Sequence, residues 1–274
     1  MANLALRRAR LSPFRKIALG TWRTTYDPSV YGSMELRMDG ALAYLNDFRE
    51  RTGKKATLTH LFVKAIAEAL VKTPEANAVM RWNRVYLRQD VAIFCQVAMT
   101  DEGSEKIDLS GLTIYEVQRK SLEQICDEFQ ERVALVRARK DPALERTRKT
   151  MGRLPAGLVH YLLRFLSFLI YTLNLDLSRF GLPRDPFGGV MITNIGSLGL
   201  DIAYPPLAPY SRVPLVVALG AVREAPVVEG GRLVVGKLMN VSVTFDHRFI
   251  DGAHAAAMAR TVRAFMENPA ATLG

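Results

Sequence analysis

The stretch that most restricts the fold runs from Val241 to Phe265, where VSVTFDHRFIDG passes directly into AHAAAMARTVRAF. Apolar residues alternate with small polar ones through Val241, Val243 and Phe245, the period-two pattern of a strand with one buried face. From Gly252 onward the apolar spacing is three to four, the period of a helix. A strand feeding straight into a helix excludes all-helical and all-strand architectures. It also places His247 on the junction between them, where side chains are presented rather than buried. Asp251 lies four residues further and precedes Gly252, which suits a tight turn whose carboxylate is held by a cation from elsewhere in the chain.

A coarse pass along the rest gives strands near 31–38, 84–99, 110–115, 189–193, 214–222 and 232–246. Helices are expected near 39–51, 59–73, 119–140, 156–174 and 252–267. Thr57 or Thr59 can cap the second helix, and Pro74 ends it because proline cannot continue the hydrogen-bond ladder. The order is not a simple βαβ repeat, so the expected fold class is α/β, a mixed sheet covered by helices. With 274 residues, 49% of them hydrophobic, the chain can bury one substantial core, and no linker divides it.

The two cysteines, Cys95 and Cys126, have no CxxC spacing, so neither a disulfide framework nor a thiolate metal site is expected. His60, His160 and His254 lack partners at metal-ligand spacing, and no metal is expected. The opening MANLALRRARLSPF has no sustained apolar run before a small-residue cleavage site, so a cytoplasmic location is expected. The formal net charge of +10 is concentrated near Arg7 to Arg23 and Arg132 to Arg153. No helix-turn-helix, zinc or aromatic-stacking pattern accompanies it, which argues against nucleic acid. A solvated surface remains open, as does attraction to the phosphates of a ligand or to a membrane face.

The segment from Phe187 to Pro269 contains GGVMITNIGSLGL (188–200), PLVVALGAVREAPVVEGGRLVVGKLMNVSVTFDHRFIDG (214–252) and a helix ending in MENPAATL. In these motifs the chain resembles the catalytic domain of the dihydrolipoyl acyltransferase component of 2-oxo acid dehydrogenase complexes, a relative of chloramphenicol acetyltransferase. THLFVKAIAEALVKTPEANA (59–78) is similar to the family's second helix and the turn after it, and RVYLRQDVAIFCQVAM (84–99) to the following hairpin. FRKIALGTW (14–22) is similar to the arginine-led segment that opens the domain. Two regions depart from the pattern. EGSEKIDLSGLTIYEVQRKSL (102–122) replaces the usual glycine-led strand with its Val-Pro-Val, and 141–186 aligns with nothing in the family.

The resemblance implies a chloramphenicol-acetyltransferase-like fold and a homotrimer with active sites between subunits. It implies acyl-CoA as substrate and a lipoyl-bearing acceptor. No lipoyl module precedes the domain here, so that arm is expected on another protein. The chemistry needs a base, because a free thiol with pKa about 8.5 is mostly protonated at neutral pH. An imidazole can take that proton, and the resemblance gives this role to His247. Thr193, in ITNIGSLG, matches the hydroxyl that donates to the oxyanion of the tetrahedral intermediate. Asp251 matches the motif carboxylate that pairs with an N-terminal arginine, for which Arg15 is the candidate. A hydroxyl or amine acceptor, a long acyl chain, or a trimeric scaffold without catalysis are the alternatives.

LPAGLVHYLLRFLSFLIYTLNL (154–175) is apolar on nearly all faces, has Arg164 as its single full charge, and follows the basic run RTRKTMGR. Pro155, Gly157 and the mid-segment arginine argue against a bilayer span. A helix buried in its own domain, one at a subunit interface, an interfacial helix making peripheral membrane contact, and the lining of an acyl-chain pocket all remain open.

Overall fold

The computed structural model describes residues 3–8, 27–100, 107–138, 140 and 155–273. Among these the strands are β1 (Leu6–Arg8), β2 (Ser29–Arg37), β3 (Ala78–Arg81), β4 (Arg84–Arg88), β5 (Ile93–Thr100), β6 (Ile107–Ile114), β7 (Val190–Asn194), β8 (Leu215–Glu229) and β9 (Arg232–Asp246). Six of them make one sheet in the order β2-β9-β8-β7-β5-β6, and β1-β4-β3 make a second, smaller sheet. β7 runs parallel to both β5 and β8, while β2/β9, β8/β9 and β5/β6 are antiparallel. The architecture is the expected α/β mixed sheet covered by helices.

The helices are α1 (Asp39–Thr52), α2 (Leu58–Lys72), α3 (Leu122–Arg137), α4 (Ala156–Ser167), α5 (Gly252–Glu267) and α6 (Pro269–Leu273). α2 is apolar nearly all round, with Leu61, Phe62, Ile66 and Leu70 buried, and that pattern requires neighbours on several sides. It finds them in the sheet and in α1, α3 and α5. Val190 and Ile192 of β7, Val217 and Leu219 of β8, and Val241 and Phe245 of β9 point into this one core with Phe265 of α5. By strand alternation Thr193, Ala218, Ser242 and Thr244 therefore face the other side of the sheet.

The sequence pattern misplaced the corner within 84–99. β4 and β5 belong to different sheets, and the hairpin lies upstream, between β3 and β4. It turns at Trp82 and Asn83, both at positive φ (50° and 56°), as a primed two-residue hairpin turn requires. Side chains hold the break after β4: Gln118 accepts from the Val91 N–H at 3.0 Å and donates to Asp90 at 3.0 Å, while Asn77 donates to the Asp90 carbonyl at 3.0 Å. The helix expected over 119–140 starts later because Ser121 and Gln124 form a reciprocal capping box.

The helix expected over 156–174 ends at Ser167 and passes into a wide π-type turn, Phe168–Thr172. There the Leu173 N–H donates to the Phe168 carbonyl, five residues back, at 2.9 Å. The inner side of this segment packs on its own domain: Ile170 and Tyr171 form a small cluster with Leu4 and Val79. Polar anchors surround it. Arg81 donates to the Thr172 carbonyl at 3.1 Å, Arg212 to Ser167 Oγ at 3.1 Å, and buried Arg88 pairs with Asp185 at 2.9 Å. No helix among the described residues is long and apolar enough to cross a membrane.

Candidate active site

The loop after β9 is tied down from both sides. The Asp246 N–H donates to the Pro214 carbonyl and the His247 N–H to the Pro28 carbonyl, each at 2.9 Å, so the loop bridges the segments entering β8 and β2. Asp246 is buried and receives the Arg248 backbone N–H at 2.9 Å and its guanidinium at 2.9 and 3.0 Å. Phe249 and Ile250 turn inward and are buried. The alternation of inward apolar and tethered polar residues leaves His247 half-buried at the apex, its ring centroid 6.5 Å from that of Phe245.

Asp251 is the N-cap of α5. Its Oδ1 accepts from the backbone N–H groups of Ala253 and His254 at 3.0 Å each, satisfying two donors that a helix start leaves open. The same oxygen lies 2.5 Å from Nδ1 of His254, whose Nε2 is 4.0 Å from Glu75. Asp251 thus fixes the angle at which the His247 loop enters the helix. Arg15, expected as its partner, lies outside the described residues. The contact with His254 was missed, although an aspartate three residues before a histidine at a helix start is a readable signal.

Thr193 is half-buried near the end of β7, where ITNIGSLG leaves the sheet. Asn194 shapes the exit: its side chain donates to Thr59 Oγ1 at 3.3 Å and accepts from the Ser197 N–H at 3.1 Å. Gly196 passes so close to the next strand that an added Cβ would stand 2.4 Å from the Gly220 carbonyl oxygen. Gly199 sits at φ 78°, a left-handed conformation that glycine adopts without strain. A further residue escaped the sequence reading altogether. Arg212, also at positive φ (54°), has its guanidinium pKa lowered by burial and reaches Ser167 and the Met80 carbonyl.

His247 and Thr193 are not together within one chain. The register runs Thr193 to Ala218 to Ser242, two strands across, and His247 lies five residues beyond Ser242. At about 3.3 Å per residue and about 4.8 Å per strand, that is about 17 Å along and about 10 Å across the sheet. Among the described residues no cluster of three or more His, Cys, Asp or Glu could hold a metal ion. Burial pushes the thiols of Cys95 and Cys126 up to about 12 and about 11, so neither is a nucleophile at neutral pH.

A mixed six-stranded sheet covered by helices, with a histidine loop leaving the last strand of its longest hairpin, defines a class. The chain belongs to the 2-oxoacid dehydrogenases acyltransferase (catalytic domain) family, whose model matches residues 6–151 and 187–274. It is 40% identical over 81 residues to the lipoamide acyltransferase component of the branched-chain alpha-keto acid dehydrogenase complex of Pseudomonas aeruginosa, a stretch covering 30% of this chain and 18% of that protein. It is 23% identical over 254 residues to the dihydrolipoyllysine-residue acetyltransferase component of the pyruvate dehydrogenase complex of Rickettsia felis, spanning 90% of this chain and 49% of the relative. The chain thus spans about half or less of the length of these curated relatives. The cubic core of the pyruvate dehydrogenase multienzyme complex superposes with a TM-score of 0.66 at 18% identity, covering 98% of this chain and 95% of that one. Chloramphenicol acetyltransferase does so at 0.52 and 12%, covering 96% and 100%. Both likenesses speak to the fold.

Proposed function

We propose that this chain is a CoA-dependent acyltransferase in which His247 is the general base and Thr193 the oxyanion donor. The observation that carries the reading is the tethered loop of the family-matching region, which holds one imidazole half-exposed at the end of β9. His247 takes the proton from the acceptor thiol, and the thiolate attacks the carbonyl carbon of the acyl thioester. The resulting oxyanion accepts a hydrogen bond from the Thr193 hydroxyl. Collapse expels the CoA thiolate, which recovers the proton from the imidazolium, so charge and atoms balance. Asp251 positions the loop through α5, with Arg15 as its proposed partner.

The separation of about 20 Å between His247 and Thr193 along the sheet supports a site built from two copies, each giving one of the residues. The proposed assembly is the homotrimer, and the proposed acceptor is a dihydrolipoyl group. Release of CoA thiol from acetyl-CoA and longer acyl-CoAs, with dihydrolipoamide as acceptor, tests the reading. His247→Ala should lower turnover by about 10² to 10⁴, and Thr193→Ala by about 10² to 10³. Subunits of the two variants, mixed and reassembled, should regain part of the activity that neither has alone. Equal background rates for wild type and His247→Ala would leave the scaffold reading standing. Turnover with hydroxyl or amine acceptors alone would move the assignment to that chemistry.

A further inference from the structure

Residues 152–186 lie outside the family match, and the described part, from 155 on, leaves several large apolar side chains uncovered. On α4 and the turn after it, Leu158, Tyr161, Phe165 and Phe168 are exposed. Their spacing of three, four and three residues places them in one stripe along the helix. Tyr161 is 70% exposed and Phe165 58%, on a helix whose other side packs on the protein.

A second element joins the stripe. Trp82, at the tip of the β3–β4 hairpin, is 63% exposed, and its ring meets Phe168 edge-on at a centroid distance of 6.0 Å. Its φ of 50° is one that a bulky side chain rarely adopts and that the turn would accept more readily in asparagine or glycine. A tryptophan held there against its backbone preference, with its ring outward, points to a use for the ring.

We propose that this stripe is a docking surface for an anionic lipid bilayer, on which α4 lies in the plane of the interface. Charge decides between lipid and other apolar partners. From position 146 to 175 the sequence carries five cations, Arg146, Arg148, Lys149, Arg153 and Arg164, and no acidic residue. Arg164, exposed, directly precedes Phe165 on α4, and Arg84, exposed, follows Trp82 by two residues. Aromatic rings with an apolar body, beside arginines that extend to the headgroups, form the composition of an interfacial helix. At 12 residues α4 is too short to span, so its apolar side can reach lipid only by lying flat. Each cation near an anionic surface adds attraction that salt screens within a Debye length of about 8 Å at physiological ionic strength. The docking proposal does not depend on the acyl-transfer reading.

Co-sedimentation with vesicles tests this on the full chain. Wild type should pellet with mixed phosphatidylcholine and phosphatidylglycerol vesicles, less with phosphatidylcholine alone, and less again as salt is raised. Trp22 and Trp82 are the two tryptophans of the chain. In a Trp22→Phe background the Trp82 emission should shift to the blue on adding the mixed vesicles. Phe165→Glu should weaken vesicle binding by about tenfold or more while the circular dichroism spectrum and thermal transition stay unchanged. Val228→Glu, at the exposed tip of the β8–β9 hairpin, should change nothing. Absence of wild-type binding to either vesicle, or equal loss in Phe165→Glu and Val228→Glu, would overturn the proposal. So would a fall in oligomer size in Phe165→Glu with no wild-type vesicle binding, which would assign the stripe to contact with another protein chain.

Discussion

The six-stranded sheet with α1, α2, α3 and α5 is held by one continuous apolar core, whereas the 155–186 segment is held by a four-residue cluster and a few polar anchors. The first is a cooperative body in which each side chain leans on many others. The second is a graft, attached where Ile170 and Tyr171 meet Val79 and where Arg88 meets Asp185, with its outer face bare. A scaffold of the first kind can fix a catalytic loop. An attachment of the second kind can change without disturbing it.

The comparison breaks if the two regions respond alike to substitution. Phe265, fully buried beneath the sheet, should cost about 3–5 kcal/mol as Phe265→Ala, read from chemical denaturation. Asp185→Ala should cost about 3 kcal/mol, because it strands the buried Arg88 guanidinium, which would keep its bond to the Ala78 carbonyl at 2.7 Å. If the graft is attached as described, that loss should show first as protease sensitivity within 155–186, ahead of global unfolding.

His60 sharpens the contrast through pH. It sits at the start of α2, buried edge-on against the Phe129 ring at 4.5 Å, and its Nδ1 accepts from the Thr57 N–H at 2.9 Å. Burial lowers its pKa from 6.5 to about 4. Between those values the unfolded chain binds a proton that the folded chain refuses. The contribution is therefore complete above pH 6.5 and is lost as pH falls toward about 4, by as much as about 3 kcal/mol. Denaturation measured across that range should flatten in His60→Gln. The smallest effect belongs to the outer stripe: Phe165→Ala in the absence of membranes should move stability by no more than about 0.5 kcal/mol.

Much of the main sheet could be read from residue order. β9 and α5 announce themselves because alternation and helical spacing persist for ten residues or more, and both begin and end where the pattern says, whereas β8, expected over 214–222, runs on to Glu229. The small sheet could not be read. β1 and β3 are three and four residues long, too short to show a period, and β4 was merged with β5 because the corner between them is made by Gln118 and Asn77, distant in sequence. The site divides in the same way. His247 and Asp251 share one loop, so seven consecutive letters expose them. Their separation from Thr193 depends on strand order and register, which residue spacing does not encode. The expected uniform helix over 156–174 hid its irregularity because Phe, Leu, Ile and Tyr read alike at every position.

That irregularity has a consequence of its own. Residues advance less around the axis in a five-residue turn than in an ordinary one, so the step from Phe168 to Thr172 rotates Tyr171 inward, toward Leu4 and Val79. The wide turn acts as a phase adjuster: it lets a segment greasy on every side keep one flank seated while the opposite flank stays outward. Shortening it by a single residue would swing the tyrosine off its seat, and the orientation of everything upstream would be lost with it.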